Sequence, residues 1–168
     1  MEQKDQKFTF AVVTMSDKGS RGEREDTSGE YLKQTLAGEG YEPVFYTIVP
    51  DSVEVIVRTL NELADTFKVS LVVTTGGTGV APTDVTPEAM LQVMEKEIPG
   101  MAEAMRYESL KKTPRAMLSR GKVGIRGTTL IVNLPGSLKA VKENLEVLLP
   151  VFPHALEKIR GDQSDCGR

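Results

Sequence analysis

Apolar residues recur along the chain with two different periods, and the periods alternate. Residues 8–15 (FTFAVVTM) are rich in β-branched and aromatic side chains and predict a strand. A polar loop, residues 16–26 with Gly19 and Gly22, leads to a helix that Asp26, Thr27 or Ser28 can cap and that Gly38 and Gly40 close. Residues 43–49 (PVFYTIV) predict a second strand. Val53, Ile56, Val57, Leu60, Leu63, Ala64 and Phe67 then lie three and four residues apart, on one face of a helix, while Glu54, Arg58, Glu62 and Asp65 take the other. Residues 70–75 (SLVVTT) form a nearly unbroken apolar strand, the pattern of a sheet covered on both faces. After a glycine turn, Thr86 as N-cap and Pro87 at the first position predict a helix to about Glu97, and residues 101–112 predict another. Residues 128–134 (TTLIVNL) predict a strand, with a short candidate strand near Val123 before it. Helices at 137–149 and 151–159 complete the chain.

Strands alternating with helices of this length predict an α/β fold in three layers, a mainly parallel sheet with helices on both faces. The 168 residues fit a single domain over 1–168, with an ordered core at 7–161 and short polar tails. Open sheets of this kind bind ligands at the carboxyl ends of their strands.

Composition narrows the chemistry. The chain has one histidine (His154), one cysteine (Cys166) and no tryptophan, which excludes a Cys₂His₂ or His₃ zinc site, an intrachain disulfide and a paired-cysteine redox centre. Catalysis must therefore come from carboxylates, hydroxyls, backbone amides, Lys and Arg, or a bound ion. A balance of 21 basic against 24 acidic residues, net −3, argues against a nucleic-acid partner. One stretch, residues 110–126, nevertheless carries Lys111, Lys112, Arg115, Arg120, Lys122 and Arg126 with no acid, and reads either as a solvated loop or as a phosphate-receiving surface. Residues 1–7 lack the apolar centre of a signal peptide, and no apolar run is long enough for a membrane span. With a single cysteine, the cytoplasm is the expected setting. Met90, Met94, Met101 and Met105, near helical spacing, read as core or subunit contact.

Three strand exits carry candidate chemistry. Thr74-Thr75-Gly76-Gly77-Thr78-Gly79 lets backbone amides approach an anion, although no Walker-type Lys-Ser/Thr pair follows it. Asp84 lies a few residues on, ahead of a helix, placed either to hold Mg²⁺ against a phosphate or to cap that helix. Asn133-Leu134-Pro135-Gly136-Ser137 ends a second strand in a helix N-terminus, with Ser137 as the obvious cap. Asp51 ends a third; read alone, it is the N-cap of the strong amphipathic helix. Ser16 and Asp17 close the first strand, and nothing in their local pattern selects Ser109 or Ser119.

The run TTGGTGVAPTDVTPEA at 74–89 resembles the molybdopterin adenylyltransferases of molybdenum-cofactor biosynthesis. So do IPG at 98–100, ESL at 108–110, TPRAMLSR at 113–120, GIRG at 124–127 and NLPGS at 133–137, with SD at 16–17 and DTSG at 26–29. The resemblance spans about residues 8–161. It implies transfer of AMP from Mg-ATP to the terminal phosphate of molybdopterin with release of pyrophosphate, in a homotrimer without a tightly bound organic cofactor. By the same resemblance Asp51 and Asp84 are the catalytic, Mg²⁺-linked acids, and Ser16, Asp17, Asp51 and Gly76 contact the nucleotide. Thr75, Gly76, Gly77, Thr78, Gly79, Ser109, Ser119, Arg120, Asn133, Pro135, Gly136 and Ser137 line the pterin side. A molybdenum-insertion protein is a candidate partner. Non-catalytic members of the fold, a ligand-binding paralogue or a trimeric scaffold, are the alternative. Many relatives carry Arg where Thr83 stands, a departure expected to weaken nucleotide contacts or to move them to Arg115, Arg120 or Arg126, and Pro where Leu138 stands.

Overall fold

The computed structural model describes residues 7–164; Cys166 and the outer parts of both tails lie outside it. In chain order the elements are β1 (Thr9–Met15), α1 (Asp17–Ser20), α2 (Thr27–Gly38), β2 (Glu42–Val49) and α3 (Val53–Asn61). They continue with β3 (Leu71–Thr75), α4 (Thr86–Val93), β4 (Lys96–Glu97), α5 (Pro99–Leu110), β5 (Val123–Arg126), β6 (Thr129–Leu134), α6 (Leu138–Leu148) and α7 (Phe152–Arg160). Among the described residues the strands form one sheet in the order β2-β1-β3-β6-β5-β4. The first three pairings are parallel and the last two antiparallel, so the candidate strand near Val123 is real and makes the sheet mixed.

Alternation along the central strands divides the core. Phe10 and Val12 face one side, with Leu32, Leu36, Met105, Val141, Leu145 and Phe152 of the helices there; Ala11 and Val13 face the other, with Ile56, Leu60, Met90 and Val93. Each side chain named is essentially removed from water, and every Leu- or Phe-sized group so buried contributes about 1.5–3 kcal/mol. Met90, Met101 and Met105 are buried core residues, and Met94 packs against the same core.

α2 and α3 cover opposite faces: the chain leaves β1 over one face to reach the edge strand β2, then returns over the other to β3. The carboxyl ends of β1 and β3 therefore form a topological switch point, where crossovers diverge and leave a crevice.

Three local expectations fail for physical reasons. The helix from Thr86 stops at Val93, because Met94 turns extended (φ −72°, ψ 137°) and the next backbone pairs with β5 through Glu95 N–H to Ile125 C=O at 2.8 Å and Ile98 N–H to Val123 C=O at 2.8 Å. Phe67 is 57% exposed and not on the core face: Glu62–Thr66 is a π-helical turn, closed by Phe67 N–H to Glu62 C=O at 3.1 Å, and the wider turn rotates Phe67 outward. There it stacks on exposed Phe45 at 6.1 Å. The polar loop after β1 also contains a turn of helix, α1, with Ser16 accepting the Gly19 N–H at 2.9 Å. Among the described residues no helix is long and apolar enough to cross a membrane.

Candidate active site

The ends of β1 and β2 are tied by a reciprocal pair of bonds. Asp17 N–H donates to Asp51 Oδ2 at 3.1 Å, and Asp51 N–H donates to Asp17 Oδ1 at 2.9 Å. Asp51 is thus not the cap of α3; Ser52 is, accepting the Val55 N–H at 3.4 Å, because its side chain is the one directed at the helix's free amides. Burial pushes the Asp51 carboxyl above its usual range; the bond from Asp17 opposes this, and the nearby Asp17 and Asp84 charges add to it.

The glycine loop after β3 turns by backbone conformations that favour glycine, with φ +99° at Gly76 and +67° at Gly77. Its packing excludes side chains as well. A Cβ on Gly76 would stand 2.4 Å from the Met15 carbonyl oxygen, and one on Gly77 2.4 Å from Thr86 Oγ1 and 3.2 Å from Asp51 Oδ1. Thr86 is not the N-cap of α4, a position held by Val85; its hydroxyl instead donates to the Gly76 carbonyl at 2.9 Å and its N–H to Gly77 C=O at 3.1 Å. Gly76 N–H is spent on Leu134 C=O at 3.1 Å, whereas among the described residues no hydrogen bond occupies the amides of Gly77, Thr78 or Gly79. Asp84 is not a cap either: its Oδ2 accepts the Ala81 N–H at 2.9 Å.

The exit of β6 is fastened to the same loop. Thr75 donates to Pro135 C=O at 2.7 Å, Ser28 to Gly136 C=O at 2.8 Å, and Ser137 caps α6 by accepting the Ala140 N–H at 3.3 Å. Asn133 does not face a ligand. It is buried, donating to Thr74 Oγ1 at 3.0 Å and accepting the Lys122 N–H at 3.2 Å, so it holds strands in place.

Two adjoining clefts result. The first, of about 380 Å³, opens at the switch point and is lined by Ser16, Thr75, Gly76, Asp51, Ser137 and, from the loop before α2 and the first turn of that helix, Arg24 to Ser28. Asp17 holds Asp51 without itself lining this cleft. The second, of about 410 Å³, is lined by Thr78, Gly79, Pro135, Ser109, Ser119, Thr113 and Asn144, with Arg106 and Arg115. Gly77, Asp84 and Gly136 line both and form the wall between them.

The basic stretch does not act as one surface. Lys111, Lys112, Arg120, Lys122 and Arg126 pair with Glu108, Glu143, Glu88, Glu97 and Asp65, respectively. Only Arg115 of the six has no ion pair among the described residues. Arg120 lines neither cleft; besides Glu88 it donates to Gly79 C=O at 2.7 Å and Asp84 C=O at 2.8 Å, clamping the loop that carries Asp84. Arg126 stands opposite Thr129 at the turn of the β5–β6 hairpin and lines neither cleft. Neither arginine is therefore free to take over contacts displaced by Thr83. His154 is exposed on α7 and also lines neither cleft.

Local pattern gave no reason to select Arg24, Arg106 or Asn144, because each reaches its cleft only after distant elements pack. Asp26 was legible as a helix cap but does more. Its carboxylate accepts from Thr14 Oγ1 and Tyr46 Oη, each at 2.6 Å, and from Gly29 N–H at 2.9 Å. Burial, and then the Asp26 carboxylate, push the Tyr46 hydroxyl well above its usual range.

Residues 11–154 match the family described as the probable molybdopterin binding domain. The chain belongs to that family. Among solved structures it is similar to the molybdopterin biosynthesis enzyme MoaB of Thermus thermophilus, with 49% identity and a TM-score of 0.87 over 92% of this chain and 98% of that one. It is 42% identical over 159 residues to the molybdopterin adenylyltransferase of Helicobacter pylori strain 26695, covering 94% of this chain and 90% of the relative. It is 46% identical to the molybdenum cofactor synthesis protein cinnamon of Drosophila melanogaster, of which it spans only 26%. The architecture described above, a mixed sheet with helices on both faces, thus matches the fold of the Thermus thermophilus structure over most of both chains.

Proposed function

We propose that this chain is a molybdopterin adenylyltransferase, moving AMP from ATP to the terminal phosphate of molybdopterin and releasing pyrophosphate. The observation that carries this reading is the shared wall. A nucleotide in the first cleft and a phosphorylated pterin in the second meet at Gly77, Asp84 and Gly136. Two binding sites that share a wall bring two substrates into contact, which a simple binding module does not need.

The acceptor phosphate is the nucleophile, so no side-chain nucleophile or histidine base is required. Its oxygen bonds to the α-phosphorus of ATP, the bond to the bridging oxygen breaks, and the electron pair leaves with pyrophosphate. The chain's task is positioning and charge stabilisation. The unoccupied amides of Gly77 to Gly79 are donors for phosphate oxygens, and Arg106 and Arg115 with Ser109 and Ser119 receive the pterin's terminal phosphate. Asp51 and Asp84 suit Mg²⁺: both are oxygen donors lining the first cleft, and the anionic form of Asp51, disfavoured first by burial and then by the Asp17 and Asp84 charges, is one that a cation relieves. When bound, Mg²⁺ supplies charge neutralisation on the transferring phosphate. Assembly as a homotrimer in the cytoplasm, and hand-over to a molybdenum-insertion protein, belong to the same reading.

The decisive experiment is ATP- and molybdopterin-dependent pyrophosphate release. Asp51→Asn and Asp84→Asn are expected each to lower turnover about a hundredfold or more while molybdopterin affinity changes little. Wild-type turnover in both variants removes the two acids from the mechanism. No release by the unaltered chain favours the non-catalytic paralogue or scaffold.

A further inference from the structure

The first cleft has an imbalance of charge for a cleft that receives a triphosphate. Asp51, Asp84, Asp26 and Glu25 line it, and Arg24 is its one Lys or Arg among the described residues. The loop that carries Arg24 is organised so as to leave this guanidinium unspent. Arg21, three residues earlier, is held bidentate by Glu23, at 2.9 and 3.1 Å. Glu23 N–H bonds to Lys18 C=O at 2.9 Å and Gly22 N–H to Gly19 C=O at 3.0 Å, folding that pair onto α1. Asp26, the acid two residues on, already accepts from Thr14, Tyr46 and Gly29 and has little capacity left to neutralise Arg24. Among the described residues Arg24 makes no ion pair and no side-chain hydrogen bond. Lys18, the nearest other cation in sequence apart from Arg21, is exposed and outside the cleft lining.

The position relative to the shared wall assigns the role. In phosphoryl and nucleotidyl transfer the attacking and leaving oxygens stand roughly in line across the phosphorus. If the acceptor phosphate enters from the second cleft, across Gly77, Asp84 and Gly136, the leaving group departs into the first, away from that wall. Arg24 lines the first cleft and not the wall.

We propose that Arg24 is a catalytic residue that binds the β- and γ-phosphates of ATP and stabilises the departing pyrophosphate. This rests on the adenylyltransferase reading. As the acceptor oxygen bonds to the α-phosphorus, the α–β bridging bond breaks and its electron pair passes to the β-phosphate. Arg24 stays protonated throughout and meets the charge that appears there, with the planar fork that suits phosphate.

The test compares Arg24→Ala, Arg24→Lys and the control Lys18→Ala in the full chain. Pyrophosphate-release kinetics are measured, and binding of AMP and of a non-hydrolysable α,β-methylene ATP analogue is measured separately. Arg24→Ala is expected to lower kcat/KM for ATP roughly ten- to hundredfold and leave KM for molybdopterin within about twofold. Arg24→Lys recovers part of the loss, and Lys18→Ala matches the unaltered chain. In binding, Arg24→Ala weakens the ATP analogue roughly tenfold and leaves AMP, which lacks the two outer phosphates, unchanged. Equal weakening of both ligands, wild-type kinetics in Arg24→Ala, or the same loss in Lys18→Ala overturns the assignment. If the unaltered chain releases no pyrophosphate, the transferase reading fails, and the comparison of AMP with the ATP analogue still decides Arg24.

Discussion

Asp51 shows what burial does to a carboxylate proposed to hold a cation. Its carboxyl is pushed up by desolvation and by its acidic neighbours, so the folded chain binds a proton there before the unfolded chain does. Between the ordinary carboxylate value and the raised one, the folded state holds more protons, and stability from this group falls as pH rises. Asp51→Asn keeps an oxygen to accept the Asp17 N–H and removes the charge. The variant is therefore expected to melt higher than the unaltered chain at pH 7 without added metal, by a margin that shrinks as pH falls through the acid range. Thermal melts from pH 4 to 8 measure it, and a lower melting temperature at pH 7 would mean the ionised carboxylate's bonds outweigh its burial. The same residue scale separates ligand-facing groups from framework. Asn133 and Arg120 carry motif-like side chains, yet both are spent inside the fold.

At the scale of elements, the site depends on how closely β3's exit packs against β1. Gly76 meets the Met15 carbonyl at a separation no Cβ tolerates, and its φ is one that other residues avoid. Gly40 has a similar φ of +94° but open space around it. Gly76→Ala is thus expected to cost about 2–4 kcal/mol and Gly40→Ala about 1–2 kcal/mol, because only the first adds a backbone clash to the strain. Urea denaturation of the two variants provides the comparison; equal losses would show that strain alone matters at Gly76. The π-helical turn after α3 and the short β4 are also events of element packing. Local periodicity continues through both positions, and the backbone departs from it to meet neighbours.

For the whole molecule, the first cleft, at the carboxyl ends of the strands, predicts a response of global stability to the nucleotide and its metal ion. Mg-ATP should raise the melting temperature, since a ligand at a hundred times its Kd stabilises the native state by about 2.7 kcal/mol. Chelating the metal with EDTA should remove most of that gain if Asp51 and Asp84 share the ion with the nucleotide. An ATP shift unaffected by EDTA would place the nucleotide without the ion.

Read from the sequence alone, the alternation of strand and helix periods, the covered sheet faces and the glycine-rich strand exits were legible, because each is set by residues a few positions apart. The motifs also marked Asp51, Asp84 and the loops around them. Periodicity could not show that Asp51 leaves the capping of α3 to Ser52, or that five of six cations in the basic stretch are paired with acids. Nor could it show that a loop arginine faces the first cleft. Those outcomes depend on which groups meet across long stretches of intervening chain, as Asp17 meets Asp51 and Arg120 meets Glu88. Short-range pattern determined the elements and pointed to the type of chemistry; only tertiary contact decided which charges are paired within the fold and which line the clefts unpaired.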